Sequence, residues 1–106
     1  MDTFSALADP TRRHILEMLA QKGSLPASEI SQKFHISAPA ISQHLKVLKD
    51  AKLVDMEKKA QQRIYSVNTH AVLELEKWAK EIQQRWEGRL NSLDKILAIE
   101  KKKMEK

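Results

Sequence analysis

The sequence predicts a mainly helical domain with a short two-stranded β-ribbon, an α+β class, on three observations. Apolar residues recur at helical spacing through most of the 106 residues. Helix starts are punctuated by Asp9-Pro10 and Ser37-Ala-Pro39, each a capping side chain followed by a first-turn proline. One polar loop, Lys59-Ala-Gln-Gln62, separates two short runs with strand-like content. This length suits one domain with a modest core. With no cysteine there is neither a disulfide framework nor a thiolate metal site. No apolar run is long enough to span a bilayer and no signal-peptide pattern opens the chain, so a cytoplasmic protein that does not insert into membranes is expected.

Phe4, Leu7 and Ala8 form a short apolar turn at the start. Asp9 then caps a helix that opens on Pro10, turns Ile15, Leu16, Met18 and Leu19 to the core, and stops at Gly23. Arg12, Arg13 and His14 cluster near its start; such a group is an ordinary solvated face unless an arginine reaches a phosphate or an acidic partner. Residues 24–34 read as a second, short helix with Ile30 and Phe34 apolar. His35-Ile36 is the tight connection that follows, with His35 where such turns usually carry glycine; histidine tolerates the left-handed region better than most residues.

Ser37 caps the third helix, in which Ile41, Leu45 and Leu48 form an apolar stripe at i, i+4 and i+7. Its other face carries Pro39, Ala40, Ser42, Gln43 and Lys46. Small residues near the N-terminus let a backbone approach closely. Gln43 can read a base edge bidentately, and serine and lysine can hold phosphates. Helix, short turn and capped second helix with a polar outer face make a helix-turn-helix, whose second helix would enter a DNA major groove. The bland alternative is an amphipathic surface helix. Ser37 and His44, on the same helix, complete the expected DNA-contacting set there.

Residues 51–54 close the packing, and residues 55–59 and 63–67 read as two strands whose apolar faces come from Met56, Ile64 and Val67. Lys58, Lys59 and Arg63 make the ribbon's tip basic, which is the make-up of a wing laid along a phosphate backbone or into a minor groove. From Thr69, a capable cap, helical periodicity runs almost unbroken to Glu100. Leu75, Trp78, Ile82, Trp86, Leu90, Leu93 and Leu97 lie on one stripe. One subunit has too little surface to cover it, so a second chain is expected to. Gly88 interrupts this helix and offers a place for a bend or a close approach.

Charge supports an anionic partner. The chain carries a net charge of +5. Residues 1–35 are neutral overall, whereas residues 36–66 hold six basic and three acidic side chains, net +3, around the third helix and ribbon. The terminal run Lys101–Lys106 is expected to be a solvated, frayed end rather than a specific contact.

The segment Phe4-Ser-Ala-Leu-Ala-Asp-Pro-Thr-Arg-Arg-His-Ile-Leu16 resembles the opening signature of the ArsR/SmtB winged helix-turn-helix repressors. Ile36-Ser-Ala-Pro-Ala-Ile-Ser-Gln-His-Leu-Lys-Val-Leu48 resembles that family's recognition helix, and Arg63–Val67 its second wing strand. The likeness runs over residues 4–68; residues 75–93 resemble the cysteine-poor, SdpR-like autorepressor branch. At the wing tip the family often has Gly-Arg where this chain has Ala60-Gln61. The resemblance implies residues 1–68 as the DNA-binding region and 69–106 as a dimerisation helix with a basic tail, together one domain. It also implies a two-fold homodimer through Phe4, Leu7, Leu75, Trp78, Ile82, Trp86, Leu90 and Leu93, bound to double-stranded operator DNA. Arsenic- and cadmium-type members place cysteines where Pro26 and Ser28 stand here, and zinc-type members need ligands on the long helix, where His70 is the single histidine. His14, His35, His44 and His70 fall on different elements, so no metal and no cofactor is expected.

Nothing in the sequence suggests an enzyme: there is no glycine-rich phosphate loop and no nucleophile with a base at a recognisable spacing. The expected function is a homodimeric, sequence-specific repressor of a palindromic operator. An adaptor that uses the winged helix for protein–protein contacts is the alternative, and steeply salt-dependent duplex binding separates the two. Autorepression by concentration and sequestration by a second protein both stay open as modes of regulation.

Overall fold

The computed structural model describes residues 2–104, with side chains through Asn91. The elements, in chain order, are α1 (Thr3–Leu7), α2 (Pro10–Lys22), β1 (Leu25–Pro26), α3 (Ala27–Lys33), α4 (Ala38–Asp50), β2 (Val54–Lys59), β3 (Gln62–Val67) and α5 (Thr69–Met104). The chain divides into two compact units, Met1–Val72 and Leu73–Lys106.

Local chemistry sets the helix starts of the first unit. The Asp2 carboxylate accepts from the Ser5 amide at 2.8 Å and the Asp9 carboxylate from the Arg12 amide at 3.1 Å. These amide donors hold both carboxyls below their ordinary pKa. The Ser37 hydroxyl accepts from the Ala40 amide at 3.3 Å, as its place before Pro39 predicts. Gly23 closes α2 at φ 87° while its amide donates to the Leu19 carbonyl. The opening apolar turn is a five-residue helix, and the carbonyls at its end are satisfied from α2. Arg13 Nη1 donates to the Leu7 carbonyl at 2.7 Å, and Arg12 Nε to the Ala6 carbonyl at 2.6 Å.

The end of α4 is a Schellman turn. The Leu53 amide donates to the Leu48 carbonyl and the Lys52 amide to the Lys49 carbonyl, both at 2.9 Å, with Lys52 left-handed at φ 63°. Leu48 and Leu53 are both fully buried, the apolar contact that usually accompanies this turn. Ala60 is the other non-glycine residue with positive φ among those described, at the ribbon tip. His35 is not left-handed: Phe34 is extended at φ −112° and ψ 144°, so the connection into α4 needs no glycine-like residue.

Two further sequence expectations are corrected. The ribbon belongs to a three-stranded antiparallel sheet in the order β1-β3-β2, because Leu25-Pro26 pairs with Tyr65 and Ile64. The second helix therefore starts at Ala27 and not at Ser24; Pro26, which has no amide to donate, lies on an edge strand. The capping side chain at the start of α5 is that of Asn68, which accepts from the Ala71 amide at 3.1 Å, so Thr69 is the first helical residue. The core of this unit comprises Ile15, Leu19, Ile30, Ile41, Leu45, Leu48, Leu53 and Val54, all essentially inaccessible. On the ribbon, Val54 and Tyr65 are the buried residues, while Met56, Ile64 and Val67 are half-covered.

In the second unit α5 continues without a break through Gly88; the whole helix, 36 residues, is about 54 Å long at 1.5 Å per residue. A Cβ placed at Gly88 would meet nothing within 4 Å. At about 100° per residue Gly88 points well away from the Trp78/Ile82/Trp86 stripe, so it provides no close approach for whatever covers that stripe. An exposed Glu76–Lys80 ion pair at 2.7 Å and a Gln83–Glu87 hydrogen bond at 2.9 Å support the helix one turn apart. No helix among the described residues is long and apolar enough to cross a membrane.

Candidate nucleic-acid interface

The apolar stripe of α4 fixes which of its residues can face a ligand. Ile41, Leu45 and Leu48 are buried, which leaves Pro39, Ser42, Gln43 and Lys46 exposed and Ala40 half-covered. Ser37 is exposed at the cap; its oxygen already accepts from Ala40, and its proton is still available to an acceptor. The ribbon adds the second half of the surface. Strand pairing sets Val54 opposite Val67, Met56 opposite Tyr65 and Lys58 opposite Arg63, so these six share one face. Lys59 pairs with Gln62 on the reverse face.

Ser42, Gln43, Lys46 and Lys49 of α4 line one open cleft of about 440 Å³ together with Met56, Arg63 and Tyr65 of the sheet. The expected contacts Ser42, Gln43, Lys46 and Arg63 thus converge, with Lys58 directly opposite Arg63. Two cations opposite each other on a ribbon repel, an arrangement that an anion in front of them relieves. Ser37 and Pro39 lie at the N-terminal end of α4, outside the cleft. His44 is half-buried, and its Nδ1 stands 3.3 Å from Arg12 Nη1. Lys49 was missed from the sequence, although its spacing of three from Lys46 and seven from Ser42 puts it on the same face. The role of Arg12 in joining elements had no sequence signal beyond the charge cluster.

The apolar residues expected to meet a second chain divide as follows. Phe4 on α1 is 51% exposed and Leu7 half-buried. On α5, Trp78 is 49%, Ile82 47% and Trp86 58% exposed; Leu90 is exposed as well and Leu75 half-covered. The Leu93 and Leu97 side chains lie outside the described residues. Val72 and Leu73 are further exposed apolar residues that the stripe did not include. Pro26 and Ser28 offer a pyrrolidine ring and an exposed hydroxyl, which do not fit a thiophilic metal.

Residues 9–56 match the family described as bacterial regulatory protein, arsR family. The chain is 40% identical over 77 residues to the transcriptional repressor SdpR of Bacillus subtilis (strain 168), covering 73% of this chain and 84% of that one. Its fold is similar to that of an ArsR-like transcriptional regulator from Rhodococcus sp. RHA1, with a TM-score of 0.77 and 28% identity over 88% of this chain and 87% of the other. It is also similar to the homodimeric winged helix-turn-helix DNA-binding domain Mb0332 from Mycobacterium bovis, a possible ArsR-family regulator, at a TM-score of 0.61 and 25% identity over 76% and 73% of the two chains.

Proposed function

The chain belongs to the ArsR family of bacterial regulatory proteins, and on that premise we propose that it represses transcription in the cytoplasm by binding a palindromic operator as a homodimer. The observation that carries this reading is the convergence of Ser42, Gln43 and Lys46 with Arg63 around one cleft. In it, α4 enters the major groove, Gln43 reads a base edge, and Ser37, Ser42, Lys46 and Lys49 hold flanking phosphates. Pro39 and Ala40 keep the first turn slim enough for close approach. Lys58 and Arg63 follow the backbone from the wing, and Lys59, on the reverse face, supplies general positive potential.

A second copy completes the assembly by covering Phe4 and the Trp78/Ile82/Trp86/Leu90 stripe, which one chain leaves exposed. Two-fold symmetry then sets the recognition helices about one DNA turn apart, roughly 34 Å. The reading assigns no catalytic step and no metal sensor, since Pro26 and Ser28 supply no thiolate. Regulation then rests on concentration-dependent autorepression or on a protein that sequesters the repressor.

Selection of binding sites from random duplex DNA tests this directly. The expected product is a palindrome with half-sites about ten base pairs apart, centre to centre. Gln43→Ala should weaken binding by about 1–3 kcal/mol and relax preference at one position of each half-site, while Lys46→Ala should flatten the salt dependence by about one unit. Binding that ignores salt, or a pool without a consensus, would favour a protein–protein adaptor instead.

A further inference from the structure

We propose that Arg12 is a positioning residue for DNA recognition, tying α4 to the end of α1 through the unprotonated Nδ1 of His44. The inference rests on the reading that α4 is the DNA-reading helix, and assigns that helix a control that the DNA-facing residues do not contain.

Arg12 stands half-buried on the first turn of α2, and its guanidinium reaches two other elements. Nε donates to the Ala6 carbonyl at 2.6 Å and Nη2 to the Ser5 carbonyl at 3.2 Å, both on α1. Nη1 lies 3.3 Å from His44 Nδ1, on α4. Arginine has donors only and stays charged at any working pH. For this contact to be a hydrogen bond Nδ1 must be the acceptor, which requires a neutral ring with its proton on Nε2. One planar cation thus joins three helices, using a fan of donors that an ammonium does not possess.

The arrangement makes the link conditional on charge. The Arg12 guanidinium, at hydrogen-bonding distance, and the Asp9 carboxylate both act on the ring from the start of α2. Asp9 is itself occupied in capping α2. α1 brings backbone carbonyls to the same guanidinium, and the buried residues of the neighbouring α3 and β2 are the apolar Ile30 and Val54. Protonation of His44 removes the only acceptor at Nδ1 and sets two cations at hydrogen-bonding distance. The tie between α1 and α4 is then lost, and the recognition helix is held by its buried Ile41, Leu45 and Leu48 without it.

The direction of the effect separates two roles for His44. A histidine that touched phosphate would bind DNA more tightly when protonated; one that accepts from Arg12 should bind less tightly. The experiment uses the full chain and a duplex recovered from the site selection, at constant ionic strength, from about pH 8 to about pH 5.5, a window that spans ordinary histidine titration. His44→Asn is the control, because its Oδ1 can accept from Arg12 and carries no ring proton, while the other three histidines are present in both chains. On acidification the parent should lose about fivefold or more in affinity relative to His44→Asn, the low end of measurable coupling. Arg12→Lys should bind more weakly at pH 8, with little pH dependence of its own from His44.

Nitrogen-15 spectra of the free chain should show His44 Nδ1 unprotonated near pH 8 in the parent, with its resonance shifted in Arg12→Lys. Relative tightening of the parent on acidification, or parental affinity and pH profile in Arg12→Lys, would overturn the proposal. If the spectra show the tie but no duplex is bound at any pH, the DNA reading fails, and with it the role in recognition.

Discussion

Two stretches of this chain carry the same sequence pattern and meet opposite fates. Ile41, Leu45 and Leu48 on α4, and Trp78, Ile82 and Trp86 on α5, both repeat at helical spacing. The first three are fully buried within their own unit, whereas the last three are each about half exposed. The pattern states only that a helix has an apolar face. Whether the same chain covers that face depends on the surface left over once the core has closed. Met1–Val72 closes a core from four helices and a sheet; on α5 beyond Val72 the stripe stays about half exposed.

The comparison predicts mutational effects that differ in kind as well as size. Leu48→Ala, at a fully buried position, should cost about 2–5 kcal/mol of folding stability, seen as a lower denaturation midpoint at every protein concentration. Trp86→Ala should leave the first unit's stability unchanged and instead weaken self-association by about 2–4 kcal/mol, as expected of an aromatic anchor. Sedimentation should then find monomer at micromolar concentration, and operator affinity should fall because each monomer engages one half-site. An unchanged dimer would make the tryptophan a surface residue of no consequence. The smallest effect belongs to Gly88→Ala, which should stabilise α5 by about 1 kcal/mol without weakening the dimer, since the glycine faces away from the stripe and has open space around it. A loss of dimer in that variant would place the partner on the other side of the helix.

What the sequence made legible was local. Asp9, Ser37 and Gly23 announce helix ends because a cap acts over three or four residues. The α4 face was readable for the same reason: burial of Ile41, Leu45 and Leu48 forces Gln43 and Lys46 outward. Pairing of Leu25 with Tyr65 is not local, and a two-residue strand carries no periodicity, so β1 was hidden inside an expected helix. Asn68 and Thr69 are adjacent capable caps, and one-residue choices of that kind are settled by packing. The left-handed turns fall on Lys52 and Ala60, neither of which advertises such a conformation. The guanidinium of Arg12 was invisible as a tie, because its three acceptors are brought together only by the folded arrangement of α1 and α4.

Hydrogen exchange measured against protein concentration tests the contrast between the two regions most directly. The amides of Ile41–Leu48 should be equally protected from nanomolar to tens of micromolar chain, and equally in parent and Trp86→Ala. Those of Leu73–Asn91 should gain protection as concentration rises in the parent, and gain far less in Trp86→Ala, because only association covers their apolar face. Protection of Leu73–Asn91 that is independent of both concentration and Trp86 would show a helix stable without a second copy, and would contradict the account.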